Sequence, residues 1–241
     1  MPMLKVRIRN ALRAMPPKVQ CLIMAWRSRH SLQKGPGSYV HSSVQILGRA
    51  HVSIGANTVI GQDCWLNVNH RTDGRLAIVI GNQCFIGRRN FFSSGASIQL
   101  SDFVLTANDC HFLGSTHLVD DPMKPVICTG TSNLDSIIVG TNTFIGAGAR
   151  ILGSVKIGHG CVIGAGSTVT RDVPPFSQAH GHPARVHKRY SFGQRKWIAA
   201  ALFTAEDEAA LPTESAYVQH LSAVGRIPMP HIAAGADLGS F

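Results

Sequence analysis

Acidic residues are scarce in this 241-residue chain, and the first of them, Asp63, arrives late. Ahead of it come Lys5, Arg7, Arg9, Arg13, Lys18, Arg27, Arg29 and Lys34, part of an excess of 23 Lys+Arg over 13 Asp+Glu that leaves a net charge of +10. Such an excess suits nucleic acid, an anionic membrane surface or a phosphorylated small molecule. No nucleic-acid-binding motif accompanies it, so nucleic acid is not an expected partner. Long apolar runs are missing too: none approaches the ~20 residues of a membrane span. The longest near the start, Cys21 to Trp26, is too short for a secretory core and has no small-residue cleavage site after it. A cytoplasmic location is the expectation. The six cysteines show neither CxxC nor a zinc spacing, so neither a metal nor a disulfide framework is expected.

Glycine, by contrast, is plentiful at 24 residues, and from Val139 to Thr170 it falls into a period of six. The blocks read VGTNTF, IGAGAR, ILGSVK, IGHGCV, IGAGST and VT, opened by Val139, Ile145, Ile151, Ile157, Ile163 and Val169. A six-residue period fits neither an α-helix nor a long two-sided strand. It fits a chain that runs a short strand, turns and repeats, stacking its aliphatic residues into one column. Glycine in second place suits a bend that a Cβ would obstruct. The fifth place is small or β-branched, as at Thr143, Ala149, Val155, Cys161 and Ser167, and Cys64, Cys84 and Cys110 occupy the same place upstream. Those cysteines are therefore read as small packing residues in a reducing compartment. The fold class expected is an all-β solenoid.

Residues 1–37 form a basic N-terminal extension, in which Leu4, Val6 and Ile8 alternate as in a strand and Val19, Leu22, Ile23 and Trp26 are spaced as in a helix. It is read as a cap on the open first coil, with weak association to an anionic membrane surface as the alternative. The repeat runs from Val40 through IGANTV, IGQDCW, IGNQCF and IGRRNF, with frame slips of two residues before Ile54 and near Ser93. It is interrupted by a polar loop, Asn67 to Arg75, and then broken over residues 114–135 (Gly114 to Asp135). Function is often grafted onto such excursions. After Val169 the chain is expected to leave the last coil through Pro174-Pro175. Helices are expected over Ala199 to Leu211 and Glu214 to Val224, so that residues 187–241 read as a C-terminal helical tail with a poorly ordered end from Ile232.

The repeat, with the pattern aliphatic-Gly-x-x-small-x, resembles that of the hexapeptide-repeat acyltransferases, and the resemblance covers about residues 40–188. It implies a left-handed parallel β-helix of about eighteen residues per coil, an acyltransferase domain over residues 38–186, and a homotrimer with sites between subunits. Within that family the sugar O-acetyltransferases of the maltose and galactoside type, and their relatives in polysaccharide biosynthesis, look similar around STHLVDDP. The match carries the general-base role onto His117, with Asp120 among the acidic residues that follow and His111 as a reserve candidate. A sugar hydroxyl is a poor nucleophile, and a neutral imidazole can take its proton as it attacks a thioester. Arg89-Asn90-Phe91-Phe92 matches the family's Asn-aromatic-aromatic run, giving Asn90 and Ser94 as supporting residues near the acceptor. No acid follows until Asp102, so a maltose-like acceptor is not implied.

For the acyl donor, the resemblance implies acetyl-CoA in a groove along the later coils. Ala147 and Ala165 would offer backbone contacts, Thr170 and Arg171 would end the last coil, and Arg185 and Lys188 would meet phosphate. The function expected is O-acetylation of a sugar hydroxyl in surface polysaccharide or glycoconjugate biosynthesis. N-acetylation of a nucleotide-linked amino sugar is the alternative, and a non-catalytic scaffold the third reading. Gly146-Ala-Gly148 and Gly164-Ala-Gly166 lack the strand-GxGxxG-helix context of a dinucleotide site. His111 and His117 stand six apart without a clear third ligand, which does not suit the zinc site of the γ-class carbonic anhydrases that share the solenoid.

Overall fold

The computed structural model describes Pro16, Val19, residues 32–71 and residues 74–223. Eighteen short strands succeed one another in threes. The first two coils comprise β1 (Gln33–Lys34), β2 (Tyr39–Val40) and β3 (Gln45–Leu47), then β4 (Val52–Ile54), β5 (Val59–Ile60) and β6 (Trp65–Val68). The third and fourth are β7 (Ile78–Ile80), β8 (Phe85–Ile86) and β9 (Phe91–Ser94), then β10 (Ser97–Leu100), β11 (Leu105–Thr106) and β12 (His111–Leu113). The fifth and sixth are β13 (Ser136–Val139), β14 (Phe144–Ile145) and β15 (Arg150–Leu152), then β16 (Val155–Ile157), β17 (Val162–Ile163) and β18 (Thr168–Val169). Every strand from β1 to β15 pairs in parallel with the strand three places on, so the chain winds round three sheets: β1-β4-β7-β10-β13-β16, β2-β5-β8-β11-β14-β17 and β3-β6-β9-β12-β15-β18.

The aliphatic residue of each block faces inward and stacks on its counterpart in the next coil. Ile46, Leu66, Phe92, Phe112, Ile151 and Val169 form one column in register, and Phe92 and Phe112 stack face to face with centroids 4.6 Å apart. All six are buried. The eighteen-residue coil holds where Val155 lies opposite Ile137. Earlier coils take twenty, as from Ile78 to Ile98; the two extra residues are the frame slips, and between the first two coils they are absorbed by the 3-10 turn Arg49–His51.

Second-place glycine has a different cause from the one its position suggests. A Cβ on Gly146 would stand 2.6 Å from the backbone nitrogen of Ala165 in the next coil, and one on Gly140 2.4 Å from that of His159. It is coil-on-coil contact that excludes a side chain there. The left-handed turn residue is in fourth place: Asn57, Asp63, Gln83, Arg89, Phe103, Asp109 and Asn142, and then Gly148, Gly160 and Gly166. Glycine, asparagine and aspartate tolerate that region best; Gln83, Arg89 and Phe103 adopt it without that advantage.

Both ends depart from expectation. The coil begins before Val40, because β1 already pairs with β4; Gly35-Pro36-Gly37, assigned to the N-terminal extension, is a coil corner. Beyond Val169 the chain does not leave at Pro174-Pro175. Val173 bridges Ile157, and β19 (Ser177–Gly181) adds a further parallel strand beside β17. The chain then reverses at His182-Pro183 into the antiparallel strands β20 (Ala184–Ser191) and β21 (Lys196–Ala199). Residues Ala199 to Leu211 are therefore not one helix: a strand end and a 3-10 turn lead to α1 (Ala205–Ala209), capped reciprocally by Thr204 and Asp207. The second expected helix is present as α2 (Glu214–Ala223). The expectations for residues 1–31, apart from Pro16 and Val19, and for 224–241 lie outside the described residues. No described helix is long and apolar enough to cross a membrane.

Candidate active site

Two excursions leave the coil at the same corner, where the third sheet hands over to the first. One is the polar loop after β6, the other an arm between Leu113 and Ser136. The arm has an ordered neck. Ser132 N–H donates to the Thr116 carbonyl at 2.7 Å, and Leu118 N–H to the Gly130 carbonyl at 2.9 Å. These bonds flank His117 and Thr131, which form an antiparallel bridge. In a pair flanked this way the side chains project to one side with Cβ atoms about 5 Å apart. His117 is thus exposed on a fixed stretch of backbone, while the excursion carries bare apolar side chains among its charged ones: Met123 is 89%, Ile127 85% and, past the neck, Leu134 81% accessible.

A chain of hydrogen bonds ties the two excursions together across three coils. Asn67 Nδ2 donates to Asn69 Oδ1 at 2.6 Å, and Asn69 Nδ2 donates to Ser93 Oγ at 3.0 Å and to the Ser94 carbonyl at 2.9 Å. Next to Asn69, His70 places Nε2 3.2 Å from the Ser132 carbonyl and 3.3 Å from Thr131 Oγ1. Ser115 Oγ donates to the same Ser132 carbonyl at 2.8 Å. Sequence reading singled out the loop but not His70, Thr131 or Ser132. The contacts that join them span about sixty residues, and no local pattern announces them.

The residues expected to support His117 fall in different places. Asn90 is buried, and its amide is fully engaged: Nδ2 donates to Thr106 Oγ1 at 2.7 Å and to the carbonyls of Gly87 and Ala107 at 3.1 Å, while Oδ1 accepts from Cys110 N–H. It is a fifth-place residue bracing the corner and does not face an acceptor. The Ser94 side chain is also enclosed, in register with buried Val68; Asn69 meets its backbone carbonyl and the side chain of its neighbour Ser93. His111 lies on the outer face of the third sheet, edge-on to Phe91 at 6.1 Å, with Trp65 tilted against Phe91 beyond. Asp120 is exposed on the arm past the neck.

On the donor side, Ala147, Ala165, Thr170, Arg171, Arg185 and Lys188 are all exposed. Ala147 and Ala165 occupy equivalent turns of adjacent coils, linked by Gly166 N–H to the Ala147 carbonyl at 2.8 Å. The flanking Gly148 and Gly166 have open space where a Cβ would stand. Arg185 and Lys188 lie on β20. Among the described residues, no three His, Cys, Asp or Glu side chains gather as a metal site.

Comparison with known proteins settles what the repeat is. Residues 136–171 match the family described as bacterial transferase hexapeptide (six repeats). The chain carries the hexapeptide repeat of bacterial transferases. This hexapeptide-repeat chain is 31% identical over 177 residues to a Mycobacterium tuberculosis protein named "Probable acetyltransferase Rv3034c", covering 73% of the chain and 55% of that relative. It therefore spans about half the length of its curated relative. Among solved structures it resembles AntD, an N-acyltransferase from Bacillus cereus in complex with dTDP and 3-hydroxybutyryl-CoA. The TM-score is 0.56 at 19% identity, over 68% of this chain and 86% of that one. A variant of AntD in complex with dTDP-4-amino-4,6-dideoxyglucose and coenzyme A superposes similarly, with a TM-score of 0.57 at 19% identity over 68% and 86%. These likenesses show a shared fold.

Proposed function

We propose that the chain is an acetyl-CoA-dependent acyltransferase that acetylates a sugar hydroxyl, with His117 as its general base. The observation that carries this reading is the position of His117: an exposed imidazole on the rigid neck of the one large excursion that the repeat makes among the described residues. In this reading the imidazole takes the hydroxyl proton as the oxygen attacks the thioester carbonyl, and a backbone N–H stabilises the oxyanion. Collapse of the tetrahedral intermediate expels the coenzyme A thiolate, which takes the proton back from the imidazolium. Transfer is read as direct, as the family resemblance implies; Ser115 Oγ donates to the Ser132 carbonyl, and nothing marks it as a covalent nucleophile.

The strip from Ala147 to Lys188 would hold coenzyme A, the coil would have the family's left hand, and the assembly would be a cytoplasmic homotrimer acting in polysaccharide or glycoconjugate biosynthesis. The bare Met123, Ile127 and Leu134 support an arm that rests on a neighbouring subunit. N-acetylation of a nucleotide-linked amino sugar is the second reading, favoured by the likeness to an N-acyltransferase crystallised with such a sugar. Thiol release from acetyl-CoA, measured with neutral sugars beside nucleotide-linked amino sugars, separates the two. His117→Ala is expected to lower turnover by about 10²–10⁴-fold with whichever acceptor is used. Turnover unchanged in that variant would refute the assignment.

A further inference from the structure

We infer that His70 is a positioning residue for the arm that bears His117, an inference that rests on the acyltransferase reading above. Its Nε2 lies 3.2 Å from the Ser132 carbonyl. A carbonyl can only accept, so Nε2 carries the ring proton and donates it there. With Ser115 Oγ donating at 2.8 Å, both lone pairs of that carbonyl are engaged. Ser132 also supplies the N–H that closes the neck on Thr116. Thr131, whose hydroxyl is 3.3 Å from the same Nε2, is the residue directly opposite His117. His70 therefore grips the strand that faces the base, at the two positions that set where the base stands.

The grip has a fixed footing. Asn69, the preceding residue, is anchored to Ser93 and Ser94 of the third coil. Gly114, where the arm departs, donates its N–H to the Ser93 carbonyl at 2.9 Å. Loop, coil and arm thus form one closed circuit, and His70 is the link between the loop and the far strand of the neck. Without it, the far strand keeps its pairing with the near one and the Ser115 Oγ bond to the Ser132 carbonyl but loses its tie to the loop. Displacement of a catalytic group by about 1 Å can cost 10²-fold in rate.

Two measurements on the full chain test this. The first is amide hydrogen exchange, which needs no substrate. In His70→Ala the amides of Leu118 and Ser132 should exchange about tenfold faster, as expected for loss of one part-buried hydrogen bond of ~1.4 kcal/mol, while those of the coil interior, such as Phe112, keep their protection. The second is steady-state acetyl transfer. His70→Ala should lower kcat by about tenfold or more with the KM for acetyl-CoA unchanged, and His70→Gln, whose amide N–H can reach the same carbonyl, should restore most of it. Unaltered exchange at both neck amides, or equal kcat values for the Gln and Ala variants, would overturn the proposal. If the wild type transfers no acyl group, or His117→Ala is fully active, the acyltransferase reading fails and the positioning role with it. The exchange experiment still decides separately whether the clamp exists.

Discussion

At the scale of single residues, the fifth place of a block can do two jobs. Its side chain must be small enough for the coil interior, and where it is Thr or Cys it also donates to a turn carbonyl of the following coil, which Ala149 and Val155 do not. Thr58 Oγ1 donates to the Gly81 carbonyl at 2.7 Å and Thr143 Oγ1 to that of Gly158 at 2.9 Å. Cys64 and Cys110 take the same role with Sγ, toward Gly87 at 3.0 Å and Gly146 at 3.3 Å. Burial pushes the thiols of Cys64 and Cys84 up to about 12, and those of Cys110 and Cys161 up to about 11. Only the thiolate is a good nucleophile. Among the described cysteines, Cys128 on the arm should therefore alkylate at pH 8 in the native protein while these four stay unmodified until it unfolds. Mass spectrometry of the labelled peptides checks this, and modification of Cys110 at the rate of Cys128 would count against a closed interior. The packing role of these cysteines was legible in the sequence because their place in the period is fixed. Asn90 occupies the same fifth place, yet its neighbours Phe91 and Phe92 suggested an acceptor contact; a local motif does not show which way an amide points.

At the scale of the element, the corner between strands has two special positions with separate physical demands. The second place needs an absent Cβ because the next coil's backbone passes there, and the fourth needs a tolerance for positive φ. Gly146 and Gly148 separate the two: the first would place a Cβ 2.6 Å from backbone, the second has φ +69° with open space around it. Replacing a glycine in the left-handed region by alanine costs about 1 kcal/mol, whereas a backbone clash must be relieved by parting two coils. Gly146→Ala should lower the urea midpoint clearly more than Gly148→Ala; the reverse order would contradict this division of roles. The two-residue slips were visible as irregularities, and they proved to be real extra residues in twenty-residue coils. The tail was less legible. Ala199 to Leu211 is rich in helix-forming residues, but its start is captured by pairing of Lys196–Ala199 with β20, and tertiary pairing overrides propensity over so short a stretch. The link from His70 to Ser132 was not legible at all, since it depends on how two excursions lean at one corner.

At the scale of the whole molecule, the coil is a stack in which each layer touches only its neighbours, so its interior columns act as a rigid rod. That rod fixes the corner from which the loop and the arm depart, and it sets the strip from Ala147 to Lys188 on its own outer surface. The account joins the two: a thioester laid along the strip of one subunit is to be met by the imidazole on an arm, with the arm's apolar side against a neighbour. A crystal structure of the protein with bound acetyl-CoA tests this most directly. The account predicts the thioester carbonyl carbon within about 6 Å of a ring nitrogen of His117, room for one acceptor atom between them, at a boundary between two subunits. A thioester seated on the coil with a different titratable side chain before it, and His117 turned to bulk solvent, would contradict it.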